Sequence, residues 1–459
     1  MPTPATAVAD AERPLPGARG ALALLLAINL FNYIDRQVLA AVVPDIRREF
    51  FSGGAAGGMA HLLTWCQRHL GFRPQDALIG VLSMAFMAVY MIGAPLFARL
   101  AARRSRWIIV GAAVIAWSAA TGLSGLAATF GALLLTRCFV GVGEAAYGPI
   151  AQAEPADLYP LSRRGRVLAW FNMAIPVGSA LGFVLGGFFA HQWPQTGWRW
   201  AFGVAVLPGV ALGLLAIRRG RRGMADLPVR GLAGPPARIA PPGWRACAEL
   251  FRTPSYVLCT AGMCAMTFAL GGIGFWMVDY VQTFRAAGPH AAEIFGLILV
   301  AAGLGATLLG GIAGDRLGRR RPGAYFLVSG AAMLVGFPVF LLVLRPSIPF
   351  PLAWVFVFLS CFCLFFNTGP TNAILANVTR PPLRPLAFGV NILLIHALGD
   401  VPSPMIVGLI TDRCHGDMNV AFRAVAALFA VGGLCWLAGA RFLARDTARA
   451  EDLNATPSA

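Results

Sequence analysis

Lysine is absent from this 459-residue sequence, so all 37 basic residues are arginine. With no lysine there is no phosphate-binding Gly-Lys loop, and the chain carries no nucleotide-driven motor of that kind. Charge of either sign is scarce. Asp, Glu, Lys and Arg together make up 12% of the residues, where an ordinary soluble domain has about 25%. The nine cysteines are scattered, most of them inside apolar runs, and none forms a Cys-x-x-Cys pair. That argues against a disulfide framework and against a zinc site. No nucleophile or metal-ligand constellation stands out, so an enzyme is not expected, nor any cofactor. The low polarity also excludes an extended disordered chain.

Apolar residues are what the sequence has in quantity. They make up 58% of the chain, and the mean hydropathy is +0.68. At about 20 residues per membrane-crossing helix, the apolar content suffices for about twelve spans. Runs of suitable length lie near 20–43, 77–99, 107–128, 131–154, 167–190, 199–217, 255–283, 293–313, 324–344, 352–377, 386–411 and 421–442. The expected fold is therefore an all-α membrane protein of twelve transmembrane helices. The net charge of +17 does not mark a nucleic-acid binder, because the arginines sit in short clusters between apolar runs. With the termini and the even-numbered loops on one side, that side holds 26 arginines and the other holds 9. The positive-inside rule then places both termini in the cytoplasm. Residues 1–19 are read as a cytoplasmic tail, and 446–459 as a second one.

The densest arginine cluster opens a Pro- and Gly-rich stretch at 218–253. It reads as a cytoplasmic linker near anionic headgroups, dividing the chain into six-helix bundles at 20–217 and 254–445. The halves echo each other. Gly148, Pro149, Gly178 and Gly187 recur 221 residues later as Gly369, Pro370, Gly399 and Gly408. Parallel six-helix repeats are the plan of one large transporter class, with the substrate site between halves at mid-membrane.

Charges inside the apolar runs point to chemistry, because each is costly unless it is paired and faces a polar interior. The first span contains Asn32-Tyr33-Ile34-Asp35-Arg36, and the fourth contains Arg137 and, seven residues on, Glu144. Seven residues is two helical turns, so Arg137 and Glu144 share a face. Two acid–base sets on separate helices can neutralise each other across a polar core. His396 and Asp400 are four apart on the eleventh span and also share a face, while Asn367, Thr371 and Asn372 add polarity to the tenth. The eighth span ends in Gly314-Asp315-Arg316-Leu317-Gly318-Arg319-Arg320. An acid at a helix end there can bind an arginine or a neighbouring helix N-terminus and latch one conformation. Residues 45–75 form a long outer loop, which reads either as a plain insertion or, from Phe50, Phe51, Leu62, Leu63, Trp65 and Leu70, as an amphipathic surface piece. Asp279, in the seventh span, has no role from its sequence context.

The Gly-Asp-Arg-x-Gly-Arg-Arg loop and the Arg-x-x-x-Gly-x-Gly-Glu span resemble signatures of the major facilitator superfamily. Asn32-Tyr33-Ile34-Asp35-Arg36, Gly141-Val142-Gly143-Glu144-Ala145, and Gly399-Asp400 with Ser403-Pro404, Gly408 and Asp412 resemble the Spinster-like members more specifically. The likeness covers about residues 20–445. In one departure, Ala102 stands where the first copy of the loop motif has an acid. The resemblance implies a proton-linked secondary transporter working by alternating access on lysophospholipids or phosphorylated sphingoid bases. Asp35, Arg36, Arg137 and Glu144 are the expected proton-coupling set, and Asp315, Arg316 and Arg319 the expected latch. Substrate contacts are expected from Arg36, Tyr33, Trp276, Asn372, His396 and Asp400. Arg36 would anchor an anionic headgroup through its planar fork, and Phe268, Phe275, Trp276, Phe362, Phe365 and Phe366 would line a path for the tail. The partners would be that amphiphile, protons and membrane lipids, with the protein a monomer in a bacterial inner membrane. Two other readings stay open: an exporter of small organic compounds on the same fold, and a membrane sensor or scaffold that no longer transports.

Overall fold

The computed structural model describes residues 17–52, 58–101, 104–159, 161–221 and 244–455. Ala102, Arg103, most of the linker and both chain ends lie outside the described residues. Among those described there is no strand. Twelve helices are long and apolar enough to cross a bilayer: α1 (Ala18–Ala41), α2 (Gln75–Ala101), α3 (Arg106–Gly125), α4 (Phe130–Leu158), α5 (Leu161–Gln192), α6 (Gly197–Arg221), α7 (Pro254–Arg285), α8 (Ala291–Gly318), α9 (Ala324–Val343), α10 (Leu352–Asn377), α11 (Pro381–Arg413) and α12 (Met418–Gly439). In hydrocarbon, backbone polar groups have to be satisfied within the helix, which is why the apolar runs become helices and nothing else. Large apolar side chains such as Ile92, Leu123, Leu207 and Leu308 are exposed on them. That pattern would aggregate in water and suits a lipid-facing surface.

Contacts divide the chain into two units. The first takes the described residues within Met1–Ala55, Ala85–Arg238 and Ala292–Gly296, and the second those within Ala56–Met84, Ile239–Ala291 and Leu297–Ala459. In the first unit α1 and α5 approach until a Cβ on Gly178 would stand 2.5 Å from the Leu30 carbonyl oxygen. In the second, a Cβ on Gly399 of α11 would stand 2.1 Å from Thr267 Oγ1 of α7. Fifth-on-first and eleventh-on-seventh are equivalent pairs, so the glycines repeated at one offset make the same kind of contact in each half.

Three helices are interrupted: α6 between Gly203 and Val206, α10 after Phe365, and α11 at His396–Asp400. Pro402 and Pro404 of α11 have no N–H to give to the carbonyls four residues earlier. The ladder there widens to a π turn over His396–Asp400, with Gly399 at φ −103° and ψ −105°. Val401 N–H donates to His396 O at 3.2 Å, and Ser403 Oγ to Asp400 O at 3.3 Å. In α10 the regular helix breaks after Phe365 and restarts at Thr368, where Asn367 Nδ2 turns back to Leu364 O at 2.8 Å.

The outer-loop expectation holds in part. Gly58–Leu70 is a helix that exposes Leu62, Trp65 and Leu70 and buries Leu63 and Cys66. Phe50 and Phe51 are a correction, because they pack inward on Trp198 and Phe130, with ring centroids 5.9 and 5.5 Å apart. An aromatic side chain gains more from filling a core than from resting on a surface.

Candidate functional site

The polar centre of the first unit is built by four helices. Tyr33, Asp35 and Arg36 come from α1, Phe86 and Tyr90 from α2, Trp117 from α3, and Arg137 and Glu144 from α4. Gly143 lets this happen, since a Cβ there would stand 2.7 Å from Cβ of Trp117. The close α3–α4 contact carries Glu144 inward, and its carboxylate is completely enclosed. Arg36 Nε donates to Glu144 Oε2 at 2.7 Å, with 18% of the Arg36 side chain still exposed. The guanidinium carbon lies 5.2 Å from the ring centroid of Tyr33, 5.2 Å from that of Phe86 and 5.1 Å from that of Tyr90. Such contacts stabilise a desolvated cation by about 1–2 kcal/mol. Arg137 also lies over the Phe86 ring, 5.3 Å from its centroid.

Of the four charged residues, only Arg36 and Glu144 are joined by a hydrogen bond. Both carboxylate oxygens of Asp35, Nε and Nη1 of Arg137, and Oε1 of Glu144 find no hydrogen-bond partner within the protein. Asp35 and Arg137 are nonetheless buried. Buried polar groups left in this way are expensive, and they define a set that has more than one way of pairing. The sequence identified the four charges but not their partners. Phe86 and Tyr90 were missed altogether, because an aromatic in an apolar run carries no mark of its own.

The second unit has a smaller polar centre on the π turn of α11. His396 Nδ1 lies 2.9 and 3.0 Å from the two oxygens of Asp400, and both residues are half-buried. Thr260 Oγ1 donates to Asn391 Oδ1 at 2.9 Å beneath it. Thr371 and Asn372 of α10 bond within their own helix, to Asn367 O and Thr368 O at 2.9 Å each. Trp276 is wholly enclosed and gives its indole N–H to Pro404 O at 2.8 Å. It therefore offers no surface to a ligand in this arrangement, and Phe275 is likewise buried. At the end of α8, Asp315 accepts from Tyr325 Oη at 3.0 Å, while Arg316 and Arg319 point to solvent or its border.

Comparison with known proteins follows the same lines. The description Major Facilitator Superfamily matches residues 25–404. The chain is 33% identical to human protein spinster homolog 1, over 94% of this chain and 82% of that protein. It is 28% identical to the sphingosine-1-phosphate transporter of Danio rerio, over 92% and 84% of the two chains. Among solved structures it resembles a bacterial homologue of the human lysosomal transporter Spinster, with a TM-score of 0.72, 22% identity, and coverage of 95% and 97%.

Proposed function

Because this chain belongs to the major facilitator superfamily and to its Spinster group, we propose that it is a proton-linked secondary transporter of anionic, lipid-like amphiphiles that works by alternating access. The observation that carries this reading is the Arg36–Glu144 pair inside its aromatic cage. Glu144 holds Arg36 only while it is ionised. A proton on Glu144 releases the guanidinium, whose planar fork fits a phosphate or carboxylate headgroup. Arg137 and Asp35, already close and unsatisfied, are placed to take new partners when that exchange occurs. A change of partners of this kind gives each protonation state its own preferred conformation, which a coupled carrier requires.

Tyr33 borders the same guanidinium, and His396 with Asp400 is a second polar pair able to contact a substrate and exchange a proton. The arginine asymmetry supports cytoplasmic termini, and a bacterial inner membrane is the proposed location. The test is binding and uptake of a lysophospholipid with an anionic headgroup by purified protein in liposomes. Arg36→Ala should lower binding by about tenfold or more, and Arg36→Lys should restore it only partly, since a point charge replaces a bidentate fork. Asp35→Asn and Glu144→Gln should transport without the pH dependence of the wild type. Binding of compact soluble metabolites alone would refute the lipid-like substrate. Two variants with an unchanged pH profile would refute the proton role.

A further inference from the structure

At the face of the membrane opposite the termini, α2 begins at Gln75. The residue before it is Pro74, which has no side-chain oxygen to offer the free amides of the first turn. The cap comes from far along the chain. Asp412, at the end of α11, accepts the Asp76 N–H on Oδ1 at 3.0 Å and the Ala77 N–H on Oδ2 at 2.8 Å. The helix backbones touch alongside it. A Cβ on Gly408 would stand 2.3 Å from Asp76 O, and one on Gly80 would stand 2.4 Å from Pro404 O. The neighbouring Arg413 lies over the Phe72 ring, 5.5 Å from its centroid. With twelve spans, parity alone puts the start of α2 and the end of α11 on one face, and the end of α8 on the other.

We propose that Asp412 is a positioning residue for transport: it fastens the start of α2 to the end of α11 through a two-amide cap that opens in each cycle, the counterpart of the latch at Asp315. This rests on the alternating-access reading. The sequence supports the pairing of roles, because Gly-x-x-x-Asp-Arg occurs at Gly311–Arg316 and again at Gly408–Arg413. In this structure Asp412 is engaged on a helix N-terminus, while Asp315 receives a tyrosine hydroxyl instead. The half-repeat places His191 where the second half has Asp412, so the carboxylate cap belongs to one half alone.

A local cap would stay with its helix whatever else moved. A cap borrowed from another helix is lost when the two part, and the charge-assisted bonds and the favourable helix-end field are lost with it. Because the contact lies at a helix end near the membrane boundary, water can take over the two amides when it opens. The contact is therefore strong enough to bias one state and weak enough to release. That is what a reversible fastener needs, as opposed to a permanent joint.

The test reads the clasp without a substrate. In protein reconstituted in liposomes, with Cys66 and Cys414 replaced by serine, a single reporter Ala77→Cys is labelled from the α2-start face with a membrane-impermeant maleimide. Asp412→Ala should raise the labelling rate by about tenfold, and Asp412→Asn, which keeps one acceptor, by less. Unchanged labelling in both overturns the proposal. A second variant, Ala77→Cys/Asp412→Cys, guards against misfolding of the first. Its oxidised form should stop uptake of the anionic lysophospholipid and its reduced form should restore it. Failure to cross-link, or wild-type uptake while cross-linked, also overturns the clasp. If wild-type protein takes up no lysophospholipid, the substrate assignment fails, while the labelling result still decides the clasp.

Discussion

Asp45 sits just beyond the membrane-spanning part of α1, in the short helix Val43–Arg47. It is buried, with Arg48 beside it as a counter-charge at 3.2 Å. Burial pushes its carboxyl up to about 6, and Arg48 offsets this only in part. An acid whose pKa is higher folded than unfolded favours folding in its protonated form. Its contribution is complete below about pH 4, is lost as the pH rises towards 6, and is flat above that. Two units correspond to on the order of 3 kcal/mol. Asp45→Asn should remove that slope and leave the variant more stable than wild type at pH 7, as read from thermal unfolding in detergent between pH 4 and pH 8. Parallel curves for the two proteins would contradict it. The same residue-by-residue view shows what the sequence of the candidate site revealed. Asp35, Arg36, Arg137 and Glu144 were legible because a charge in an apolar run is anomalous. Their pairing was not, since the Arg36–Glu144 bond spans 108 residues and depends on how closely Gly143 lets two helices approach.

At the level of single helices, α11 shows both how much a sequence discloses and where it stops. Its length and apolarity were plain, as they were for all twelve spans, because hydropathy over about 20 residues is a direct consequence of bilayer thickness. His396 and Asp400 were legible as near neighbours from their spacing. The π turn was not, because it needs two prolines, Gly399 and the partner helix acting together. Thr267 of α7 is that partner, donating to Ile395 O at 2.9 Å while standing against Gly399. Gly399→Ala should therefore lower stability by about 1–3 kcal/mol, the usual cost of overpacking. Thr267→Ala gives room at the cost of its hydrogen bond. The double variant should recover part of the loss, so that the two effects are less than additive. Full additivity in a detergent melting series would show that the two residues do not press on each other.

For the molecule as a whole, orientation is decided by charge placement and not by packing. The chain is an integral multi-pass membrane protein, and its even number of spans requires both termini on one face. We propose that the cytoplasmic face is the arginine-rich one, with 26 arginines against 9 on the other, a bias read during insertion near the ends of the spans. Of the densest cluster in the sequence, Arg218, Arg219, Arg221 and Arg222, the first three lie at the end of α6. His61 lies in the helix between α1 and α2 and is exposed. Single cysteines at Arg218 and at His61 should therefore react with an impermeant reagent from opposite faces, that at His61 from outside intact cells. Labelling of both from one side would refute the twelve-span topology itself. The bias also has depth. Replacing those four arginines with glutamine leaves 22 against 9, so the orientation should not invert, and the His61 cysteine should still be labelled from outside. Inversion on loss of that single cluster would mean that orientation is set locally by the linker. It would then be the linker's charge, not the sum along the chain, that sets the proposed orientation of the termini.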